Sequence, residues 1–384
     1  MSDSKARVIV TGLIGQYPIG GNAWAYFQWA LGLSSLGHDV YYIEDTGQWP
    51  YNPLEGGVSK GCEYNVDYIN TIMSEHGMGD RWAYRFPYES QWFGLSDAAR
   101  GDVVATADLL INVSGTIERP DDYRSVRRLA YVDTDPVFTQ VKLARGQEDY
   151  RKIVDAHDVH FSFGEVPSDK VPDTGHKWLP TRQPVVLDEW SPVDEQRDSF
   201  TTVMNWTSYN TVTYEGRTYG QKDIEFMRFI DLPKLTSATF EIAVGEGKTK
   251  RPPHDLLKHK GWTIVDPAET CPDLASYRDF IRTSKAEWTV AKNGYVQGRS
   301  GWFSERSAVY LASGRPVVTQ DTGFGEVLPV GKGLQAFTTI EEAVEAVDEV
   351  QRDLPGHSRA ARDIAEEYFD SDKVLTAFLD RALA

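Results

Sequence analysis

The clearest structural signal in the chain lies in residues 299–325, RSGWFSERSAVYLASGRPVVTQDTGFG, which read as loop, helix, tight turn, strand and loop. Ser304 is a good N-cap, because its hydroxyl can accept a hydrogen bond from the free amides of the first helical turn. Gly314 can end the helix in a left-handed conformation, and Pro316 prevents the helix from continuing. The apolar residues that follow predict a buried strand. This succession is typical of an α/β domain.

The start of this predicted helix is a candidate phosphate site. Residues 301–307 present free backbone amides together with the hydroxyls of Ser304 and Ser307. Amides at a helix N-terminus and the helix dipole both favour a bound phosphate group. The alternative is an ordinary capped helix without a ligand, and these residues alone do not distinguish the two interpretations.

Length and charge exclude several classes of protein. A chain of 384 residues suggests two domains. The formal net charge of −17 opposes a nucleic-acid binder, which needs a basic face. Cys62 and Cys271 provide neither a disulfide framework nor a set of metal ligands. The first residues lack the apolar core of a signal peptide, and no run reaches the ~18 apolar residues of a membrane span. We therefore expect a cytoplasmic enzyme, of undetermined oligomeric state.

The first half of the chain alternates predicted strands with helical spacers, which indicates a mostly parallel sheet. The first strand leads into a glycine-rich loop, in which Gly20 and Gly21 could approach a phosphate and Asn22 could cap the next helix. The dinucleotide fingerprint G-x-G-x-x-G is absent, so NAD binding is not predicted, although Glu44 follows the second strand like a ribose ligand. The predicted strands are residues 7–11, 38–44, 107–113, 127–132, 157–163 and 176–180.

A second alternating region follows a segment rich in proline and acidic residues at 183–199. We place the domain boundary there, with one Rossmann-like domain in residues 1–185 and another in residues 186–384. The two would face each other across a cleft, and the last helix could cross back to the first domain. The predicted elements of the second half include strands 200–204, 238–244, 262–265 and 286–291 and helices 224–230, 276–283, 339–351 and 358–383.

The order of these motifs resembles the two-domain GT-B glycosyltransferases, particularly the large group whose C-terminal half resembles bacterial α-mannosyl- and glucosyltransferases. The resemblance covers nearly the whole chain and is carried by PIGGNAW, YGQKDIEF, VGEG and SERSAVYLASGRPVVTQDTGF. It implies transfer of a sugar from a nucleotide-diphosphate sugar, with the acceptor in the first domain and the donor in the second. No cofactor and no divalent metal are expected.

The resemblance also implies roles in the donor site. Lys222 would contact the donor diphosphate. The family's pair of glutamates eight positions apart is missing, because Gly301 and Val309 stand at those positions, so the role of binding ribose falls to Glu305. The predicted donor-binding residues are Gly20, Gly21, Asn22, Lys222, Arg299, Gly301, Ser304, Glu305, Arg306 and Ser307. Of these, either Arg299 or Arg306 could neutralise the leaving diphosphate.

Asp133 and Asp135 are the predicted catalytic residues. Asp133 follows a predicted strand at the place where related enzymes carry a histidine or an acid in the cleft, and could take the acceptor proton as a general base. The D-x-D spacing also resembles the metal-binding motif of the GT-A glycosyltransferases. The alternative is structural: Asp133 caps the loop and Asp135 forms an Asx turn before Pro136.

The acceptor is expected to contact Trp24, His157 and the aromatic-rich segment 49–92. For His157 and its neighbour His160, two buried, hydrogen-bonded histidines are the alternative. A small natural product or metabolite suits this acidic chain better than a membrane lipid, because no basic amphipathic helix is found. A GT-B-like epimerase of nucleotide sugars and a two-lobed binding protein without chemistry remain open.

Overall fold

A computed structural model of the chain describes residues 5–87, 90–247 and 249–384. Residues 1–4, 88–89 and 248 lie outside the described residues; two of them belong to the aromatic segment 49–92 and the first four to the predicted N-terminal domain. The described chain is built on two large sheets with helices on their faces, and it also contains two small two-stranded sheets. This arrangement confirms the predicted α/β fold with two Rossmann-like domains.

The first domain is built on an eight-stranded sheet. Its elements are β1 (Arg7–Val10), α1 (Gly20–Ser35), β2 (Asp39–Glu44), β3 (Tyr51–Asn52), β4 (Gly57–Val58), α2 (Glu63–Glu75), β5 (Trp82–Phe86), β6 (Gln91–Gly94), α3 (Asp97–Thr106), β7 (Leu109–Val113), β8 (Leu129–Asp133), α4 (Phe138–Ala144), α5 (Glu148–Asp155), β9 (Val159–Ser162) and β10 (Trp178–Pro180). The strand order is β10-β9-β8-β7-β1-β2-β5-β6, and only the β5–β6 pair is antiparallel among these described strands. All residues of β7 and β8 are buried, as expected for strands covered on both faces.

The second domain is built on a six-stranded parallel sheet. Its elements are β11 (Ser199–Asn205), β12 (Val212–Tyr214), β13 (Arg217–Tyr219), α6 (Lys222–Phe226), β14 (Thr239–Gly245), α7 (His254–Lys260), β15 (Thr263–Val265), α8 (Pro267–Thr270), α9 (Leu274–Arg282), β16 (Ala286–Thr289), α10 (Asn293–Gly298), α11 (Glu305–Ala312), β17 (Val317–Gln320), β18 (Leu334–Phe337), α12 (Ile340–Arg352), α13 (Leu354–Tyr368) and α14 (Ser371–Ala382). The strand order is β15-β14-β11-β16-β17-β18.

Each sheet has a point where its strand order reverses, between β1 and β7 in the first and between β11 and β16 in the second. In open α/β sheets, ligands bind beyond the carboxyl ends of the strands at such points. The loops after β8 and β9 in the first domain meet the loop before α11 in the second. We call this region the domain junction.

The last helix crosses back to the first domain, as anticipated. The ring of Phe378 on α14 contacts Trp29 on α1 with a centroid separation of 5.3 Å and Phe161 on β9 with 4.1 Å. All three side chains are buried. Residues 371–382 therefore belong to the core of the first domain, although they follow the second domain in sequence.

Several elements differ from the sequence predictions. Segment 51–100, in which no strand was predicted, contains β5 and β6, which form the antiparallel edge of the first sheet. The predicted helix 224–230 begins earlier, at Lys222, and is α-helical only to Phe226. The hairpin of β12 and β13 was not predicted; Glu215 and Gly216, at its turn, both have positive φ, as a tight hairpin turn requires.

Among the described helices, none has the length and apolar character needed to cross a membrane.

The packing of α14 can be tested by truncating its central side chain. We expect Phe378→Ala to lower the free energy of unfolding by about 3–5 kcal/mol, because it opens a cavity between α1 and β9. Leu235→Ala is the control: this leucine is 52% exposed, and its truncation should change stability by less than about 0.5 kcal/mol. Urea unfolding followed by tryptophan fluorescence measures both. Equal effects of the two substitutions would contradict the packing.

Candidate functional site

The loop before α11 is held against the first domain. The amide of Val166 donates to the carbonyl of Ser300 at 2.9 Å, and the indole of Trp302 donates to the carbonyl of Thr134 at 3.2 Å. From position 301 to position 320, every residue is buried except Glu305. The start of α11 is therefore enclosed between the two domains, and Glu305 is its one accessible side chain.

Several hydrogen-bond donors at the start of α11 have no partner in the protein. Ser304 occupies the N-cap position, as predicted, but its hydroxyl makes no capping hydrogen bond. Within the described chain, the amides of residues 305–307 reach no acceptor, and the buried hydroxyls of Ser300 and Ser307 have no hydrogen-bond partner. Buried polar atoms without partners are rare and destabilising, so this group of donors indicates a site for a ligand with several acceptor atoms.

Lys222, at the start of α6, provides a positive charge at this site. No hydrogen bond or ion pair from the described residues reaches its ammonium group. Burial lowers the pKa of Lys222 well below its usual value, the like charge of Arg306 lowers it further, and Glu287 opposes the change. Lys222 is half-buried, and an ammonium held there without a partner is unfavourable, so an anionic ligand would supply the missing negative charge.

Arg306 does not face the ligand space, contrary to its predicted role at the leaving diphosphate. Its guanidinium donates to Glu287 Oε1 at 2.5 Å, to Thr289 Oγ1 at 2.9 Å and to the carbonyl of Val203 at 2.8 Å. All three nitrogens are thus engaged within the second domain. The sequence could not reveal that Arg306 points away from the ligand space, because the direction of its side chain depends on the buried carboxylate of Glu287 on β16.

Arg299 and Gly301 are placed by backbone geometry. Arg299 has a φ of 46° and donates to Asp321 at 2.8 Å, with its side chain 42% exposed. Gly301 has a φ of 77°, and its amide donates to the carbonyl of Thr322 at 3.0 Å. A Cβ at this position would lie 2.5 Å from Val166 Cγ2, so the glycine lets the two domains meet. Because the Gly301 amide already donates to Thr322, it is not available to a phosphate.

The hydrogen bonds of the Asp133 carboxylate all come from residues of the first domain. Its carboxylate accepts hydrogen bonds from Thr139 at 2.7 Å, Gln140 and Ser162 at 2.9 Å each, and the amide of Asp135 at 3.1 Å. It is 1% exposed, and burial raises its pKa. The geometry favours the structural interpretation over a general base, because the carboxylate is fully used as an acceptor and has no surface toward a substrate.

Asp135 connects the two domains. Its carboxylate accepts hydrogen bonds from Tyr209 at 2.6 Å and from Tyr295, and pairs with Lys292 at 3.0 Å. Burial by itself would raise the pKa of Asp135, but Lys292 and the two phenols together hold it below its usual value. Its side chain thus serves a domain contact rather than catalysis. Among the described residues, no group of three or more His, Cys, Asp or Glu side chains could hold a metal ion.

Neither side chain predicted to bind the acceptor offers it a surface. His157 is within hydrogen-bonding distance of Asn112 at 3.1 Å and of the carbonyl of Ile153 at 2.8 Å, and burial lowers its pKa to about 4. Trp24 is 2% exposed and donates to the carbonyl of Leu274 at 2.9 Å, across the domain interface. Both residues stabilise the fold, which agrees with the alternative given for His157.

Gly20 and Gly21 serve domain packing rather than phosphate approach. A Cβ on Gly20 would lie 2.2 Å from the carbonyl oxygen of Asp273, and one on Gly21 would lie 2.7 Å from the ring of Tyr277. These two partners belong to the start of α9 in the second domain. The space that a phosphate would need next to the glycines is therefore filled by protein.

Asn22 is inside α1 and does not cap it. The helix begins at Gly20, with Ile19 at the N-cap position. The Asn22 amide group donates to the carbonyls of Leu13 at 2.7 Å and Tyr17 at 2.9 Å. It therefore fixes the preceding glycine-rich loop against the helix.

Backbone amides of the glycine-rich loop in the first domain donate hydrogen bonds to the carboxyl group of Glu44. Glu44 accepts hydrogen bonds from the amide of Gly15 at 2.9 Å, the amide of Gln16 at 2.6 Å and the phenol of Tyr42 at 2.6 Å. Burial raises the pKa of Glu44 to about 7. The carboxyl group therefore uses the loop amides that a phosphate would need, and it is too deeply buried to bind a ribose.

Sequence reasoning missed a chain of three hydroxyl groups at the domain junction. The phenol of Tyr26 donates to Ser114 Oγ at 3.2 Å, and Ser114 Oγ lies 2.6 Å from Thr134 Oγ1. These residues come from α1 and from the loops after β7 and β8. The only signal was their position at the carboxyl ends of two neighbouring strands, because isolated serine and threonine residues are common in any sequence.

The overall structure is similar to those of several glycosyltransferases. An α-glucosyltransferase in complex with UDP and a 13-mer DNA containing an HMU base has 13% identity and a TM-score of 0.61, covering 99% of this chain and 100% of that chain. Anabaena Alr3699/HepE in complex with UDP-glucose has 11% identity and a TM-score of 0.57, with 98% and 99% covered. AviGT4, a glycosyltransferase involved in avilamycin A biosynthesis, has 12% identity and a TM-score of 0.53, with 98% and 97% covered. The chain therefore has the GT-B fold, as the motifs predicted.

No protein-family model matches the chain. A phosphoribosylamine–glycine ligase of Streptococcus pyogenes is 29% identical over 127 residues, or 33% of this chain. The match spans 29% of the ligase, so this chain matches less than a third of the length of that relative.

The buried pair of Glu287 and Arg306 gives a stability prediction. We expect Glu287→Leu to lower the free energy of unfolding by about 3–5 kcal/mol, because it leaves the guanidinium of Arg306 buried without its counter-charge. The double variant Glu287→Leu/Arg306→Met should recover most of this loss. Chemical unfolding measures the free energy of unfolding of the parent and of both variants. A double variant that is destabilised as much as Glu287→Leu alone would contradict the prediction.

The raised pKa of Glu44 gives a pH prediction. The folded protein binds the Glu44 proton more tightly than the unfolded chain, so the stabilising contribution of this group is full below pH 4.5 and is lost as the pH rises through about 7. We expect the stability difference between the parent and Glu44→Gln, which does not titrate, to fall by about 3 kcal/mol across this range. Urea unfolding at a series of pH values measures it, and a constant difference would contradict the assignment.

Proposed function

We propose that this chain, which has the GT-B fold, is a glycosyltransferase that moves a sugar from a nucleotide-diphosphate sugar to a small-molecule acceptor. The observation that carries the proposal is the group of unpartnered donors at the start of α11, with the unpaired ammonium of Lys222 beside them. A diphosphate has both the acceptor atoms and the negative charge that this group lacks.

The similar structures support the choice of donor. Two of those described above contain UDP or UDP-glucose, and all three are described as glycosyltransferases or hold a nucleotide sugar. Since these proteins share only 11–13% identity with the chain, they support the fold directly and the donor class by analogy. We therefore choose uridine diphosphate as the first nucleotide to test.

In the proposed reaction, an acceptor hydroxyl forms a bond to the anomeric carbon of the sugar while the bond between that carbon and the diphosphate breaks. The nucleoside diphosphate leaves with the electron pair, and the acceptor loses one proton. The amides of residues 305–307 and the ammonium of Lys222 would stabilise the negative charge that develops on the leaving group. We propose that these groups suffice and that no divalent metal is required.

The acceptor is proposed to bind to the first domain, residues 1–185, and the donor to the second, residues 186–384. The net charge of −17 supports a small acceptor over a nucleic acid, whose phosphates would be repelled. An epimerase acting on the same donor would convert the nucleotide sugar without transferring a sugar to an acceptor. Product analysis with and without candidate acceptors separates the two reactions.

The donor site can be tested by nucleotide binding. UDP at a hundred times its dissociation constant should stabilise the parent protein by about 2.7 kcal/mol, with or without EDTA. We expect Lys222→Met to weaken UDP binding by about 10- to 100-fold, because a charged hydrogen bond to the diphosphate is lost.

Thermal shift and isothermal titration calorimetry measure these effects. The matched control is Lys258→Met, which removes a lysine exposed on α7 and should leave UDP affinity unchanged. An unchanged UDP affinity in Lys222→Met, or no binding of UDP, GDP, ADP or TDP to the parent protein, would contradict the proposed donor site.

A further inference from the structure

We propose that the hydroxyl chain of Tyr26, Ser114 and Thr134, together with Glu305 on the other side of the domain junction, is the acceptor site, and that its ligand is a neutral sugar ring. This inference rests on the proposed function, because it names the substrate class that would receive the transferred sugar. No residue in the hydroxyl chain was predicted from the sequence, and Glu305 was predicted to bind ribose instead.

The hydroxyl chain lies where the first sheet should bind a ligand. Ser114 and Thr134 follow the carboxyl ends of β7 and β8, beside the point at which the strand order reverses. Both residues are half-buried, so their hydroxyls remain within reach of a ligand. Each hydroxyl can donate and accept, and a linked chain of them suits a ligand with adjacent hydroxyl groups.

Backbone strain supports a role for the hydroxyl of Ser114. Ser114 has a φ of 63°, in the left-handed region that favours glycine, and Gly115 after it also has a φ of 63°. A serine is strained in this conformation because its Cβ crowds the following carbonyl oxygen, and such strain concentrates at functional sites. Glycine would remove the strain but also the hydroxyl that joins Tyr26 to Thr134.

The loop after β1 is shaped around the ring of Tyr26. A Cβ on Gly12 would lie 2.6 Å from that ring, so only glycine allows the close contact. Tyr26 is 7% exposed, and its phenol points to Ser114. The position of this phenol is therefore fixed by the backbone of its own domain, whether or not a ligand is bound.

Glu305 completes the site from the second domain. Within the described residues its carboxylate has no hydrogen bond or ion pair, and it is the one side chain between 301 and 320 that is not buried. Helix α11 packs against α1, which carries Tyr26, and the charge of Glu305 acts on both Tyr26 and Lys222. A carboxylate only accepts hydrogen bonds, which fits a ligand hydroxyl on this side.

This combination of groups selects for a neutral polyhydroxylated ligand. Glu305 would repel an anionic acceptor. Lys292 is paired with Asp135, and Lys222 would be paired with the donor diphosphate, so neither cation would offset that repulsion. An apolar acceptor would exclude water from the carboxylate of Glu305 without supplying a hydrogen-bond donor, at a large cost in affinity. A sugar ring satisfies all of these groups through adjacent hydroxyls.

Hexose binding to the UDP-loaded protein tests the inference. D-Glucose, D-mannose, D-galactose and N-acetyl-D-glucosamine serve as probes in saturation-transfer NMR and calorimetry. We expect at least one to bind, and Tyr26→Phe and Ser114→Ala to weaken that binding about tenfold or more, since each removes a hydrogen-bonding hydroxyl. Ser114→Gly, which also relieves the strained backbone, should weaken it equally. Tyr368→Phe is the matched control, because this tyrosine lies on α13, outside the proposed site.

Glu305→Gln separates the proposed role from the predicted ribose contact. If Glu305 contacts the acceptor, the substitution should weaken hexose binding about tenfold and leave UDP affinity unchanged. If Glu305 contacts the ribose, the substitution should weaken UDP binding. An unchanged UDP affinity in every variant also shows that the variants fold. The inference is overturned if no hexose binds while UDP does, or if Tyr26→Phe and Ser114→Gly bind hexose as the parent does. Failure of the parent to bind any nucleotide overturns the proposed function itself.

Discussion

The structure depends on one unfavourable arrangement, the burial of unpaired hydrogen-bond donors at the start of α11. Each buried donor without a partner costs about 1–3 kcal/mol, so the surrounding fold has to hold these groups in place. The hydrogen bonds of Ser300 and Trp302 to the first domain do this. The polar groups are therefore preorganised before any ligand arrives, which is the condition for strong electrostatic stabilisation of a leaving group.

Close contact between the domains explains glycines that sequence reasoning assigned to ligands. Besides Gly20, Gly21 and Gly301, a Cβ at Gly294 would lie 2.4 Å from Phe138, and one at Gly298 would lie 2.3 Å from Val137. Glycine permits close approach by a ligand and by another backbone alike, and the sequence does not distinguish the two uses. The two domains are consequently in close contact at the domain junction.

The sequence predicted the fold and the position of α11 more reliably than it predicted the roles of individual side chains. The cap at Ser304, the turn at Gly314 and the apolar strand after it are local signals, and they located α11 correctly. The direction of a side chain is not local. Asp133 and Arg306 were both expected at the substrate, yet each points to partners brought near by the fold: Ser162 for Asp133 and Glu287 for Arg306. The edge strands β5 and β6 were missed because their aromatic and polar residues lack the continuous apolar pattern of the central strands.

The pairing of charges explains how a chain with a net charge of −17 can have an anion site at all. At the domain junction, Lys292 is paired with Asp135 and Arg306 with Glu287. Lys222 has no carboxylate partner among the described residues, and it lies near the positive end of the α11 dipole. The positive potential is thus local and does not require a basic surface. Glu305 lies at its edge, where its negative charge would keep a diphosphate from moving toward Tyr26. The carboxylate of Glu305 can therefore separate the donor site from the site proposed for a neutral acceptor.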